Sequence, residues 1–334
     1  LSLSPRTNSN LQGHKFAENV MLAAARSGRL HHGWLLTGPF GIGKATLAYR
    51  FARWLLAGGQ GASLAMDPSH PVFRRVAAGT HADLLTIELE WDPKRRRQRT
   101  EIVAEDVRDI AGFLHLTPAE GGWRVVVVDG AEALNRHAAN ALLKMLEEPP
   151  PRALLLLVCS TPGRLLPTIR SRCRMLRLDT LPEPDMMAAL APSLPALSAS
   201  DLQQLVALAE GSPGRAHQLA EAEGITLAGL VRQILAELPS LSASRAYAVA
   251  DQVGRSETAF ATFLELLRAA LATAVAEAAR GQADPEQARL AALRPLEAWG
   301  AVWSRLNRLQ DETERSYLDK RQAIVAGLGY LSGS

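Results

Sequence analysis

Gly38-Pro39-Phe40-Gly41-Ile42-Gly43-Lys44-Ala45 stands between an apolar run, Trp34–Leu36, and a helical stretch, Thr46–Leu56. Strand, glycine-rich loop and helix in that order form a phosphate-holding arrangement. The glycines let backbone N–H groups turn toward phosphate oxygens, the helix N-terminus adds partial positive charge, and Lys44 reaches the β- and γ-phosphates. One position departs from the pattern. Ala45 stands where a Ser or Thr hydroxyl would coordinate Mg²⁺, and Thr46 is one residue late, on another side of the helix. The loop reads as a weak site for ATP or ADP that is poorly equipped for hydrolysis.

Outward from this loop, short apolar runs alternate with helical patterns from Leu11 to about Leu178, which predicts a parallel sheet flanked by helices. Gly33–Thr37, Val125–Val128 and Leu154–Cys159 read as buried strands, and Leu84–Leu89 as a weaker fourth. From Glu183 onward the strand signals give way to helices. Ser200 with Gln203 predicts a capping box before a helix that stops at Gly211, and Asp284-Pro285 with Gln287 predicts another start.

Composition sets the frame. The 334 residues carry 37 Lys and Arg against 34 Asp and Glu, a net charge of +3, with 47% hydrophobic and 21% charged residues. These are ordinary values for folded domains, and the length suits two or three of them. Two cysteines exclude a multi-bridge disulfide framework or a four-cysteine zinc site and point to a reducing compartment. The polar first ten residues do not read as a signal peptide. No uncharged apolar run approaches a membrane span, Ala269–Ala279 with Glu277 coming nearest. The expectation is a cytoplasmic protein without a membrane partner.

Arg124-Val125-Val126-Val127-Val128-Asp129 has the form of a strand whose terminal acid faces a nucleotide-bound metal. In AAA+ ATPases a Glu follows directly and orients the attacking water. Here that position is Gly130, and Glu132, three positions after Asp129, reads as a poor substitute. Losing both the hydroxyl and the Glu is expected to cost orders of magnitude in rate, about 10² or more for each stabiliser.

The order of further motifs resembles the δ′ family of bacterial clamp-loader AAA+ subunits, from about Asn10 to Arg215. Asn140–Pro150, Ser171-Arg172-Cys173, Leu30–Leu35, Ala78–Asp83 and Gly211–Arg215 carry the likeness. The resemblance implies an AAA+ α/β domain over 1–179, a small helical lid over 180–223 and a helical collar over 224–334. It implies that Arg172 is an arginine finger offered in trans to a neighbouring γ/τ ATPase. The remaining implied nucleotide-site positions are Gly38, Gly41, Gly43, Lys44, Ala45, Thr46, Asp129, Thr161 at sensor 1 and Arg215 at sensor 2. The plainer alternatives are a turn residue for Thr161, a structural pair for Arg215 and a surface cation for Arg172. The implied partners are γ/τ and δ subunits, the β sliding clamp through the complex, and primed DNA through the assembled ring. The complex that the resemblance implies is that of DNA polymerase III.

Relatives of this kind carry a four-cysteine zinc module between the loop helix and the Gly-Thr-His segment. Ala57–Ala78 contains no Cys here, and His70 with His81 are too few ligands, so no zinc is expected. Cys159 and Cys173 read as free, core-type residues. Lys94–Arg99, the most basic run, reads as a solvated loop or as a sequence-independent phosphate contact. Phe260, Phe263, Leu264, Leu267 and Leu271, then Trp299, Trp303 and Leu306, fall at helical spacing and serve a bundle core or a ring-forming collar. Two rival readings are a catalytically active γ/τ-like ATPase, which Ala45 and Gly130 oppose, and a P-loop kinase, which the Ser-Arg-Cys motif and helical C-terminal half oppose.

Overall fold

Leu and Val runs that are buried on both faces assemble one parallel sheet, the pattern expected when helices cover each side. A computed structural model describes residues 4–92, 97–120 and 122–332 of the chain. In chain order the first elements are α1 (Lys15–Arg26), β1 (Gly33–Thr37), α2 (Lys44–Leu56), α3 (Pro71–Ala77) and β2 (Leu84–Ile87). A small antiparallel hairpin follows, β3 (Trp91–Asp92) with β4 (Arg97–Gln98). Then come α4 (Ala104–His115), β5 (Arg124–Asp129), α5 (Arg136–Glu147), β6 (Ala153–Cys159), α6 (Pro167–Ser171) and β7 (Arg174–Arg177). The sheet order is β2-β5-β6-β1-β7, and each of these pairings is parallel.

Register brings three loops together. Thr37 pairs with Cys159 and Asp129 with Val158, so the residues leaving β1, β5 and β6 emerge side by side at one end of the sheet. That crevice is where open α/β sheets place ligands. One sheet face packs Leu35, Val126, Val128, Leu155 and Leu157 against Ile110 of α4 and Leu142 and Leu146 of α5. On α2 every residue is buried, and the helix lies against β1, β5 and β6.

The sequence reading missed β7. Only Leu176 is buried in this edge strand, while Arg174, Met175 and Arg177 are exposed. An edge strand guarded by charge shows little apolar alternation.

The chain divides into two compact units, Leu1–Ala216 and His217–Ser334. The first unit also holds α7 (Glu183–Leu190), α8 (Ala199–Ala209) and the start of α9 (Pro213–Glu221). The cap of α8 is Ser198, whose side chain accepts from Asp201 N–H. The expected cap, Ser200, lies inside the helix, because the serine two positions earlier has the extended backbone a cap needs. The second unit contains α10 (Gly224–Glu237), α11 (Ala243–Val253), α12 (Glu257–Arg280), α13 (Pro285–Ala292), α14 (Leu296–Ser316) and α15 (Lys320–Ser332). Asp284 and Gln287 form the expected capping box at α13. By length and composition α12 is apolar enough to cross a membrane. Its Phe260, Phe263, Leu264, Leu267 and Leu271 are buried in this unit, where the helix packs on α10, α13 and α14.

Candidate functional site

The loop after β1 bends through positive φ at Gly38, Gly41 and Gly43, and Gly43 leads into α2 in a left-handed conformation. Lys44, only 4% exposed, folds back over this loop. Its Nζ donates to the Pro39 carbonyl at 2.5 Å and to Ser160 Oγ at 3.0 Å. Burial lowers the Lys44 pKa, and the negative charges of Glu132 and Asp129 oppose that shift. Glu132 Oε1 accepts the Ser160 N–H at 2.9 Å, while its Oε2 is buried without a hydrogen-bond partner.

Asp129 ends β5 facing the same crevice. Burial pushes its carboxyl up to about 6, Glu88 and Glu132 push the same way, and Lys44 pulls it down. Ala45 and Thr46 occupy the first turn of α2, both buried, and Ala45 brings only a methyl where a metal-ligating oxygen would be needed. Gly130 follows Asp129 at φ 81° and sends the chain into a short 3-10 turn, Ala131–Ala133, which carries Glu132 back to Ser160. Sequence spacing hides this return. Phosphate fits the cradle of glycines, helix terminus and Lys44; a hydrolytic Mg²⁺ site fits poorly, with neither the hydroxyl nor an acid beside Asp129.

Two segments clamp the loop. On one side His14, the residue before α1, donates Nε2–H to the Ile42 carbonyl at 2.7 Å, and its burial lowers its pKa. The irregular lead-in before α1 is fastened to α2 by Arg50, which pairs with Glu18 at 2.7 Å and bonds the Ser9 carbonyl. Arg53 reinforces it by donating to the carbonyls of Arg6 at 3.0 Å and Asn8 at 2.7 Å. On the other side Ser212 Oγ donates to the Phe40 carbonyl at 2.8 Å, and Gly214 N–H to the Gly41 carbonyl at 2.9 Å. Both glycines are required by this approach. A Cβ on Gly214 would sit 2.6 Å from Gly41 Cα, and one on Gly41 would sit 2.5 Å from Ser212 Oγ.

Arg215 lies beside this turn, its N–H bonded to Ser212 Oγ at 3.1 Å and its guanidinium paired with Glu210 at 3.1 Å. Thr161 is exposed just beyond β6. The hydroxyl that meets Lys44 belongs to Ser160, one residue earlier, a position the sequence reading passed over although it is the first polar residue after the strand.

Arg172 is not among these residues. It follows α6 and precedes β7, and β7 pairs with β1 from Trp34 opposite Arg174. Its backbone therefore lies near Gly33 at the N-terminal end of β1, whereas the phosphate loop leaves the C-terminal end, about 13 Å along a five-residue strand. Arg172 serves no phosphate held by its own loop.

The other singled-out residues have structural partners. The Asp83 carboxylate accepts from the N–H groups of Ala119 at 2.9 Å and Glu120 at 3.2 Å and pairs with Arg124 at 3.4 Å. His81 Nδ1 accepts from Asp83 N–H, and His70 Nδ1 from Val72 N–H at the start of α3. Among the described residues no three His, Cys, Asp or Glu side chains are grouped as a metal site would need. Cys159 and Cys173 are free, and burial pushes both thiols up to about 12. Residues 94–96, the first half of the basic run, lie outside the described residues; Arg99 pairs with Glu90 at 3.1 Å and Asp106 at 3.6 Å.

A parallel sheet in this order, with a phosphate loop after β1 and an acidic end on β5, is the AAA+ class of P-loop fold. The chain belongs to the DNA polymerase III delta subunit family, which residues 13–182 match. It is 42% identical over 191 residues to the DNA polymerase III subunit delta' of Pseudomonas aeruginosa, covering 56% of this chain and 55% of that protein. It is 32% identical over 177 residues to the DNA polymerase III subunit tau of Escherichia coli, covering 53% of this chain and 26% of that protein. The chain thus spans about half the length of the delta' relative and about a quarter of the tau relative. A DNA polymerase III gamma-subunit-related protein of Thermotoga maritima aligns in structure over 94% of this chain and 99% of its own, at 18% identity and a TM-score of 0.49.

Proposed function

We propose that this chain is a δ′-type subunit of a DNA polymerase III clamp loader, without ATP turnover of its own, that supplies Arg172 to the ATP site of a neighbouring γ/τ subunit. The observation that carries this reading is the separation of the two functional groups. Lys44 lies in the crevice at one end of β1 and Arg172 at the other, so the guanidinium is available only to a phosphate held by another chain. A planar, permanently charged fork suits the equatorial oxygens of a phosphoryl group in transfer.

The chain's own site supports the passive half of the reading. Ala45 and Gly130 remove the metal-ligating hydroxyl and the water-orienting acid, Glu132 is bonded to Ser160, and Lys44 is engaged by Pro39 and Ser160. ATP or ADP, when bound, would supply phosphates to the loop glycines and Lys44. In the assembled ring the partners are γ/τ and δ subunits, and the complex opens the β sliding clamp and loads it onto primed DNA in the cytoplasm. The finer division into an AAA+ domain, a lid over 180–223 and a collar over 224–334 belongs to the same proposal. The identity to γ and τ subunits favours one alternative, an active γ/τ-like ATPase.

The test is co-purification with γ/τ and δ partners, followed by ATP hydrolysis assays of the chain alone and of the complex. A stable complex and an inactive free chain are expected. Failure to assemble removes the clamp-loader reading, and steady hydrolysis by the free chain selects the γ/τ-like alternative.

A further inference from the structure

Arg172 is held by its own chain through both terminal nitrogens. Nη2 pairs with Glu147 Oε1 at 2.9 Å, and Nη1 donates to the Thr168 carbonyl at 3.1 Å. Glu147 is the last residue of α5, so the guanidinium also faces the partially negative end of that helix. The junction is close-built. A Cβ on Gly33 would lie 2.7 Å from Leu146 Cδ2, 3.4 Å from Cys173 Sγ and 3.5 Å from the Arg172 carbonyl, so the α5 terminus and the finger turn meet over a residue without a side chain. His32 Nε2–H donates to the Leu146 carbonyl at 2.9 Å and fixes the same helix end. Cys173, adjoining the finger, is partly buried and packs against the core on this face of the sheet.

These contacts use two of the five guanidinium N–H donors and offset its charge with Glu147, so turning the fork to grip a neighbour's phosphate oxygens bidentately gives up the Glu147 pair. The Glu147 side chain is 48% exposed and that of Arg172 is 37% exposed, the setting in which an ion pair is readily exchanged.

We propose that Glu147 is a positioning residue that parks Arg172, so that the fraction of free finger sets how strongly this subunit stimulates its neighbour. The inference rests on the finger reading above and adds to it the group that opposes engagement. Any ligand-driven tilt of α5 that draws Glu147 away would release the finger, which links the helix that follows the Asp129 loop to the neighbouring site.

The experiment uses the reconstituted complex with γ/τ and δ partners, carrying wild type, Glu147→Gln, Arg172→Ala or the double variant. Steady-state ATP hydrolysis is measured at low and high ionic strength. Glu147→Gln is expected to raise the stimulated rate by about 1.5- to 5-fold at low ionic strength, the range an exposed pair can hold back, and to converge on wild type at high salt. The double variant is expected to match Arg172→Ala, which separates a parking role from a structural one. A Glu147→Gln complex at or below the wild-type rate, beside an Arg172→Ala complex that has lost stimulation, overturns the parking role and leaves the finger standing. An Arg172→Ala complex with full activity overturns the finger reading, and the parking role with it.

Discussion

Lys44 Nζ lies 3.0 Å from Ser160 Oγ, so the lysine that would reach for phosphate is already bonded to the residue leaving β6. Ser160 is in turn fixed through its N–H by Glu132 at 2.9 Å. The result is a crevice in which a charge, two polar side chains and a strand end hold one another.

Replacing Ser160 with Ala leaves the buried ammonium with the Pro39 carbonyl alone. A hydrogen bond to a charged group is worth about 1.5 to 3 kcal/mol, and a loss of that order is expected in urea unfolding. Thr161→Ala, at the neighbouring exposed position, is expected to stay within about 0.5 kcal/mol of wild type. Equal losses at the two positions would refute the assignment of Ser160 as the lysine's partner.

Asp129 gives a pH prediction with a definite sign. Its carboxyl is held at about 6, above its ordinary 3.8, so between these values the folded chain binds more protons than the unfolded one. Stability from this residue is therefore full below about pH 4 and declines as pH rises to about 6. Asp129→Asn is expected to gain on wild type across that window by about 3 kcal/mol, with no further change above it. Chemical denaturation of both proteins from pH 4 to 8 checks this; a difference independent of pH would contradict it.

Gly214 and Gly41 face each other at a distance that admits no Cβ. Gly214→Ala is expected to force the Ser212–Arg215 turn off the loop at a cost of about 1 to 3 kcal/mol, the usual price of overpacking. Hydrogen exchange at the Gly214 amide should accelerate together with the loss in melting temperature. An unchanged amide would show that the turn does not depend on this approach.

Much of the first unit was legible in the sequence. β1 matches its predicted bounds, and β5 and β6 extend theirs by a residue or so, because each is an unbroken Leu and Val run between turn residues. β7 escaped because an edge strand with Arg174, Met175 and Arg177 outward has one buried residue to show. The phosphate loop and its missing hydroxyl are local in sequence and could be read directly. Ser160, Ser212 and Glu147 could not, since their partners lie 116, 172 and 25 positions away and meet only through sheet register and chain return. The turn at Gly130 is the same kind of case, since its positive φ carries Glu132 back to the Ser160 N–H, a pairing that spacing along the chain does not show.

Ala45 predicts a nucleotide response. Calorimetric titration with ATP is expected to give the same weak affinity with and without Mg²⁺, since the loop offers the metal no hydroxyl. Ala45→Thr should introduce a Mg²⁺-dependent gain. Tight, Mg²⁺-dependent binding by the unaltered chain would contradict this view of the site.

The separation of Lys44 from Arg172 is tested most directly by Arg172→Ala in the reconstituted complex, read as ATP hydrolysis stimulated by primed DNA. The complex is expected to assemble as wild type does while turnover at the site adjoining this subunit falls by about 10³-fold or more, the measured scale for an arginine finger. Unchanged stimulated hydrolysis by the assembled Arg172→Ala complex would contradict the claim.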